Sequence, residues 1–291
     1  MAPVRKAITA TGPGKALARR FVAGDTLDEA VRAARTLNTE GFLVSLDLLG
    51  EEVHDAATAR AAVDRYVECL DRIAAEGLDA NISVKPTHLG LAVDPALAAE
   101  SIDRLASRAR EVGTTVTIDM EDSRYTEGTV AMYEEAQKSH GNLGLAIQAC
   151  MKRTPADLDR LIPLGGHIRL CKGAYLEPPE VALTTRKQVS VAYAAGLRKL
   201  MTSPEVKPAI ATHDDELIEL ALDLAKERSE PYEFQMLYGV RPDLQRKIVA
   251  AGHPLRVYLP FGSQWYPYLT RRLAERPANT WFFFRALLGG R

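Results

Sequence analysis

Along this chain, short apolar runs of strand length alternate with longer stretches in which apolar residues recur every three or four positions. The first spacing suits a strand buried on both faces, the second a helix with one buried stripe. Strands are predicted at 41–50 (GFLVSLDLLG), Asn81–Lys85, Thr114–Asp119, Leu143–Ala149, His167–Lys172, Pro208–Thr212, Tyr232–Tyr238 and Leu255–Leu259. Residues 1–40 read as helical and polar-amphipathic, with Thr26 and Glu29 forming the T-x-x-E of a capping box. Val63, Tyr66, Val67, Leu70 and Ile73 mark a helix that Gly77 stops, and Asp94-Pro95 supplies the cap and first-turn proline of the next. Thr154-Pro155-x-Asp157 opens another helix, and a long one is expected from about Pro178 to Met201. Asp214 is placed to cap a helix over Leu217–Ala225, another spans Arg241–Ala251, and a last one starts near Ser263.

About eight strand–helix units joined by short connections predict a parallel sheet with crossover helices. That count in a chain of 291 residues points to an α/β fold, a closed (β/α)8 TIM-like barrel, rather than a doubly wound open sheet. No Ser/Gly- or Pro-rich linker interrupts the alternation. The expected organisation is an N-terminal helical extension, residues 1–40, followed by one barrel, residues 41–291.

Composition narrows the class. Hydrophobic residues at 46% and charged residues at 26% are ordinary globular values. The formal charge of −1, from 37 basic and 38 acidic residues, argues against a dedicated nucleic-acid binder. Cys69, Cys150 and Cys171 form no C-x-x-C pair, which fits a reducing cytoplasm better than a disulfide framework. The start of the chain has cations but no apolar signal-peptide core. The most apolar stretch, Trp281–Leu288, is short and broken by Arg285. A soluble protein is expected, with a peripheral membrane contact left open.

In a barrel the active site lies at the carboxyl ends of the strands. The predicted ends supply Asp47, Lys85, Asp119 with Glu121 and Asp122, Gln148, Arg169 with Lys172, Thr212-His213, Gln235 with Tyr238, and Tyr258. In HIRLCKGAY (167–175), two cations and Gly173 close one strand, a composition suited to an anionic or electron-rich ligand. After the last strand, Tyr268, Arg271, Arg272 and Glu275 share one helical face, with Trp265, Leu269 and Leu273 on another. The charged face is either a surface ion-pair ladder or a fork for a carboxylate or phosphate. Six histidines with no His-x-His make a poor zinc set, so no metal is expected. No G-x-G-x-x-G is present. Lys85 or Lys172 as a Schiff-base nucleophile, and a non-catalytic binding module, remain alternatives.

The combination becomes specific when read as a series. IDMED, AIQACMKRT, IRLCKGAYLEP, ATHDDELI, EFQMLYGVRPDLQ, RVYLPFG and YLTRRLAERPANTWFF occur with the spacing of the proline dehydrogenase family. From about Phe21 onward the chain resembles a bacterial, monofunctional member. The resemblance implies a distorted barrel with FAD held non-covalently at the strand ends. It implies oxidation of L-proline to Δ1-pyrroline-5-carboxylate, with hydride passing from proline C5 to flavin N5 and electrons going on to a quinone. By position, Arg271 and Arg272 would clamp the substrate carboxylate with Lys85. Tyr258, Tyr268 and Leu237 would orient the ring, with Tyr175 and Glu275 on the substrate side. Arg169 would lie near flavin N5 and Gln148 at its pyrimidine edge. Lys172, Gly173, Ala174, Thr212 and His213 would hold the ribityl, phosphate and adenosine parts, with Met120 and Cys171 also lining the cofactor. Asp119 corresponds to the acid near flavin and substrate. Two departures stand out: Cys150 replaces the tyrosine usual in Q-A-Y, and Cys171 the valine usual in R-L-V-K-G. Tyr268, which relatives favouring hydroxyproline replace by a smaller residue, favours proline. The resemblance leaves oligomeric state open, together with a peripheral contact at the inner face of the cell membrane.

Overall fold

The structure is a computed structural model, in which residues 18–50 and 52–269 are described. Its centre is a closed barrel of eight parallel strands in chain order. These are β1 (Leu43–Leu48), β2 (Ala80–Val84), β3 (Val116–Ile118), β4 (Leu143–Gln148), β5 (His167–Cys171), β6 (Lys207–Ala211), β7 (Glu233–Leu237) and β8 (Leu255–Phe261). Pairing of β8 with β1 closes the ring. The helices are α1 (Leu27–Thr39), α2 (Ala56–Glu76), α3 (Pro95–Glu111), α4 (Ser123–His140), α5 (Thr154–Leu161), α6 (Arg186–Met201), α7 (Asp215–Ala225) and α8 (Pro242–Ala250). All eight expected strands are present, with edges shifted by one or two residues.

The strands are buried on both faces, yet the two faces differ in kind. One alternate set, including Val44, Leu46, Ile82, Val84, Val116, Ile118, Leu145, Ile168, Leu170, Ile210, Phe234 and Val257, is apolar. It joins Tyr66, Leu105, Tyr133 and Leu197 of the helices in one core. The other set is largely polar and meets inside the barrel. Side chains of Arg169 on β5 and of Ser83 on β2 touch across it, and so do Tyr258 on β8 and Asp119 just past β3. Period-two alternation therefore separates a greasy outer layer from a polar lumen.

Helix ends follow their local chemistry. Thr26 and Glu29 make the expected reciprocal capping box of α1, whose buried Ala30, Val31 and Ala34 belong to the barrel's own core. Asp94 caps α3 with Pro95 in its first turn, and left-handed Gly77 ends α2. Two expectations fail. The helix expected from Pro178 begins only at Arg186, where Thr185 and Gln188 form a second capping box. The segment instead pairs with the loop after β4 through Lys152–Val181 and Leu183–Cys150 backbone bonds, which engage groups that a helix there would need. Asp214 precedes α7 but makes no side-chain cap; its carboxylate accepts from Lys172 at 2.6 Å. Among the described residues no helix is long and apolar enough to cross a membrane, and no cluster of metal-binding side chains occurs.

Candidate active site

The upper lumen is organised around one carboxylate. Asp119 Oδ1 accepts from Ser83 Oγ at 2.7 Å and from Arg169 Nη1. Its Oδ2 accepts from Tyr258 OH at 2.7 Å and Lys85 Nζ at 3.4 Å. Lys85 also donates to Asp47 Oδ1 at 2.9 Å and Tyr258 OH at 3.3 Å. Four strands thus deliver Asp47, Ser83, Arg169 and Tyr258 to one point, and the residues just past β2 and β3 deliver Lys85 and Asp119.

Burial and charge set the protonation states here. Burial alone would discharge the Lys85 ammonium, but Asp47, Tyr258 and Asp119 outweigh it and hold Lys85 well above the ordinary lysine value. Burial likewise pushes Asp119 up, yet Lys85 and Arg169 together bring it below the usual carboxylate range. For Asp47 burial wins over Lys85, and its carboxyl is raised. The two acids that share Lys85 are therefore driven apart. Tyr258 is held well above an ordinary phenol by burial and by the two carboxylates, so it donates as a neutral hydroxyl.

Below this point the lumen continues as a second network. Arg169 Nε donates to Gln235 Oε1, and Gln235 Nε2 donates to Glu233 Oε1 at 2.7 Å. Glu233 also accepts from Arg256 Nε at 2.7 Å and Lys207 Nζ at 3.0 Å. Arg256 Nη1 donates to the Val44 carbonyl at 2.8 Å. Arg169 Nη2 is buried and makes no hydrogen bond to any described group.

The rim beside β5 carries a different set. Gln148 Nε2 donates to the Glu121 carbonyl at 2.8 Å, and its Oε1 accepts from Ala174 N at 3.3 Å. Both ends of that amide are thereby oriented. Gly173 has φ +115°, and a Cβ there would lie 2.3 Å from Cys150 Sγ, so the glycine is required by conformation and by space. Lys172 Nζ is tied to Asp214 and, at 3.1 Å, to Ser190 Oγ. His213 Nε2 accepts from Leu237 N at 3.1 Å, which places its one ring N–H on Nδ1. Arg241, at φ +52°, grips the His213 carbonyl at 2.7 Å. Thr212 Oγ1 accepts from Asp214 N at 3.2 Å. Met120 is buried, while Cys171, Tyr175 and Leu237 are half-buried. Burial pushes the Cys171 thiol up to about 12.

The structure brings Lys85, Asp119, Arg169 and Tyr258 into direct contact, and sets Gln148, Lys172–Tyr175, Thr212, His213 and Leu237 on adjoining strand ends. Arg271, Arg272 and Glu275, with Leu273 and Trp281–Leu288, lie outside the described residues. Tyr268 is buried in one cluster with Trp265, Leu269, Ala18, Phe21, Val22 and Leu49. The packing of Ala18, Phe21 and Val22 onto this turn could not be inferred from helical spacing alone. Ser83, Glu233 and Arg256 were not singled out from the sequence; their signal was polarity at every second position of otherwise apolar strands.

Comparison with known proteins is consistent along the chain. The proline dehydrogenase family profile matches residues 30–285. Proline dehydrogenase 2 of Bacillus subtilis (strain 168) is 37% identical over 273 residues, which cover 93% of this chain and 90% of that protein. Proline dehydrogenase of Deinococcus radiodurans is 33% identical over 285 residues, covering 94% and 91%. Proline utilization A of Bdellovibrio bacteriovorus, in a crystal structure of the protein inactivated by N-propargylglycine, shares the fold with a TM-score of 0.83 at 23% identity. That match covers 90% of this chain but 33% of the longer one. The chain belongs to the proline dehydrogenase family and is an oxidoreductase of that family.

Proposed function

We propose that the barrel mouth holds FAD non-covalently and oxidises L-proline to Δ1-pyrroline-5-carboxylate. The enzyme would act in the cytoplasm and pass its electrons to a quinone at the inner face of the membrane. The observation that carries this reading is the buried Asp119–Lys85–Tyr258–Arg169 network with a guanidinium nitrogen left over. A buried donor without a partner costs about 1–3 kcal/mol, and an electron-rich ring edge or anion would satisfy it. The bare backbone at Gly173 and the fixed amide of Gln148 suit a planar, hydrogen-bonding ligand on the same rim.

When bound, the flavin would supply, at N5, the two-electron acceptor for the hydride of proline C5. The protein's part is position and charge. Lys85, held as an ammonium, meets the substrate carboxylate together with Arg271 and Arg272. Tyr258, Tyr268, Leu237, Tyr175 and Glu275 confine the ring. Asp119 keeps Lys85, Tyr258 and Arg169 in one arrangement, and Arg169 offers a fixed cation where negative charge develops. Met120, Gln148, Cys171, Lys172, Gly173, Ala174, Thr212 and His213 line the cofactor. The amine gives up a proton as the C5=N bond forms. A Schiff-base role for Lys85 is disfavoured, because a nucleophilic lysine must be neutral and this one is held charged.

The test is the visible absorption spectrum. Purified protein should be yellow, and anaerobic L-proline should bleach it. Colourless protein that FAD cannot reconstitute would sink the reading.

A further inference from the structure

We propose that Gln235, seated on Glu233, is a positioning residue that aims the Arg169 guanidinium. The inference rests on the reading of Arg169 as the cation beside the flavin, and it assigns the aim of that cation to two residues one layer deeper. Glu233 and Gln235 are two positions apart on β7, so both side chains enter the lumen, and they are 0% and 4% exposed.

A carboxylate of depressed pKa can only accept, and Glu233 is held well below the carboxylate range, burial being outweighed by Arg256 and its neighbours. The amide nitrogen of Gln235 must therefore face Glu233, which turns its carbonyl oxygen toward Arg169 Nε. A guanidinium can only donate, so this is the one orientation of the amide that satisfies both neighbours. With Nε fixed on Gln235 and Nη1 on Asp119 and Ser83, the planar fork has no rotational freedom. Nη2 is then the nitrogen left to address a ligand. Arg256 and Lys207 lock Glu233 from beneath, so the chain Arg256–Glu233–Gln235–Arg169 runs from the closed end of the lumen to the reactive end.

The experiment compares FAD-loaded parent, Gln235→Met and Glu233→Gln. Gln235→Met keeps volume and removes the acceptor for Nε. In Glu233→Gln the new amide no longer forces the direction of Gln235, which can turn its NH2 toward Arg169. Loss of one charge-assisted bond predicts a roughly ten- to hundredfold fall in kcat. KM for proline should change little, since the carboxylate is held elsewhere. The flavin midpoint potential should move to more negative values and the visible band should shift, because a misdirected cation stabilises the reduced flavin less. A purely structural role would lower the melting temperature and leave kcat, potential and spectrum at the parent's values. That result in Gln235→Met overturns the proposal; if this variant does not fold, the same result in Glu233→Gln does so. A parent that takes up no FAD fails the functional reading itself, before any variant is compared.

Discussion

The upper and lower halves of the barrel lumen are both buried, both ionic and built on alternate positions of the same strands, yet they are finished differently. In the lower half Glu233 receives donors from Arg256, Lys207 and Gln235, and Arg256 is closed off by the Val44 carbonyl. In the upper half, three partners share Lys85 and four donors share Asp119, while Asp47 Oδ2 and Arg169 Nη2 have no hydrogen-bond partner among the described residues. A fully satisfied buried network rigidifies, whereas a partly satisfied one holds strain that a ligand can relieve. The difference separates support from function within one continuous polar interior.

The largest effect should come from breaking the closed half. Glu233→Ala leaves Arg256 buried without its carboxylate, which costs about 3–5 kcal/mol. Urea unfolding should show a midpoint lowered by that free energy divided by the slope, with the slope itself unchanged; an unchanged midpoint would mean that the lower half is not the support. Next in size is Arg169→Lys in the open half. A lysine keeps the charge and loses the planar fork, and removal of one preorganised donor costs about 10²–10³ in kcat. Stability should fall less than in Glu233→Ala, as measured in the same urea series. If the two variants lose stability equally, the division into support and function is wrong.

How much of this was legible in the sequence follows from the same division. The outer, apolar set of strand positions made the eight strands and their parallel order readable, because strands buried on both sides appear as apolar runs bounded by turn residues. The strand ends also exposed Lys85, Asp119, Arg169 and Tyr258 as candidates. What the pattern hid was the inward polar set. Ser45 sits inside an apolar decapeptide and Glu233 inside YEFQMLY, where one-dimensional averaging treats them as interruptions; Asp47 and Gln235 were visible as strand-end residues, but not their partners. Their partners are distant in sequence, as with Arg169 and Gln235, 66 positions apart. Only barrel closure brings them together. Asp214 was misread for a related reason: by sequence it is a helix cap, and that local rule gave way to a tertiary ion pair with Lys172.

The rim offers a third, smaller test of the open half. Gly173→Ala meets two separable penalties. Backbone strain at φ +115° costs on the order of 1–3 kcal/mol, and the new methyl collides with Cys150 Sγ at 2.3 Å. Combining it with Cys150→Ala should recover the steric part and leave the backbone part, a non-additivity that a double-mutant cycle in urea reads directly. Simple additivity would show that the two loops do not press on each other as drawn.

The smallest effect probes an exception within the closed half. His167, at the foot of β5, is buried with Nε2 3.7 Å from Glu233 and without a hydrogen bond there. Burial pushes its imidazolium down to about 3, against the pull of Glu233. The folded pKa therefore lies below the unfolded value of about 6.5, and the unfolded chain takes up the proton first. His167 is neutral and costs nothing above about pH 6.5; as pH falls from there toward about 3, stability is lost. The slope should be on the order of 1 kcal/mol per pH unit. Asp119 also has a depressed pKa, but its loss begins only near the unfolded carboxylate value of about 3.9, so the two windows separate. Between about pH 6.5 and pH 4 the His167→Phe variant should show a flatter stability profile than the parent. An unchanged profile would mean that His167 takes up its proton in the fold, with Glu233 as its partner. The lower half would then be closed at His167 as well, with no exception left in it.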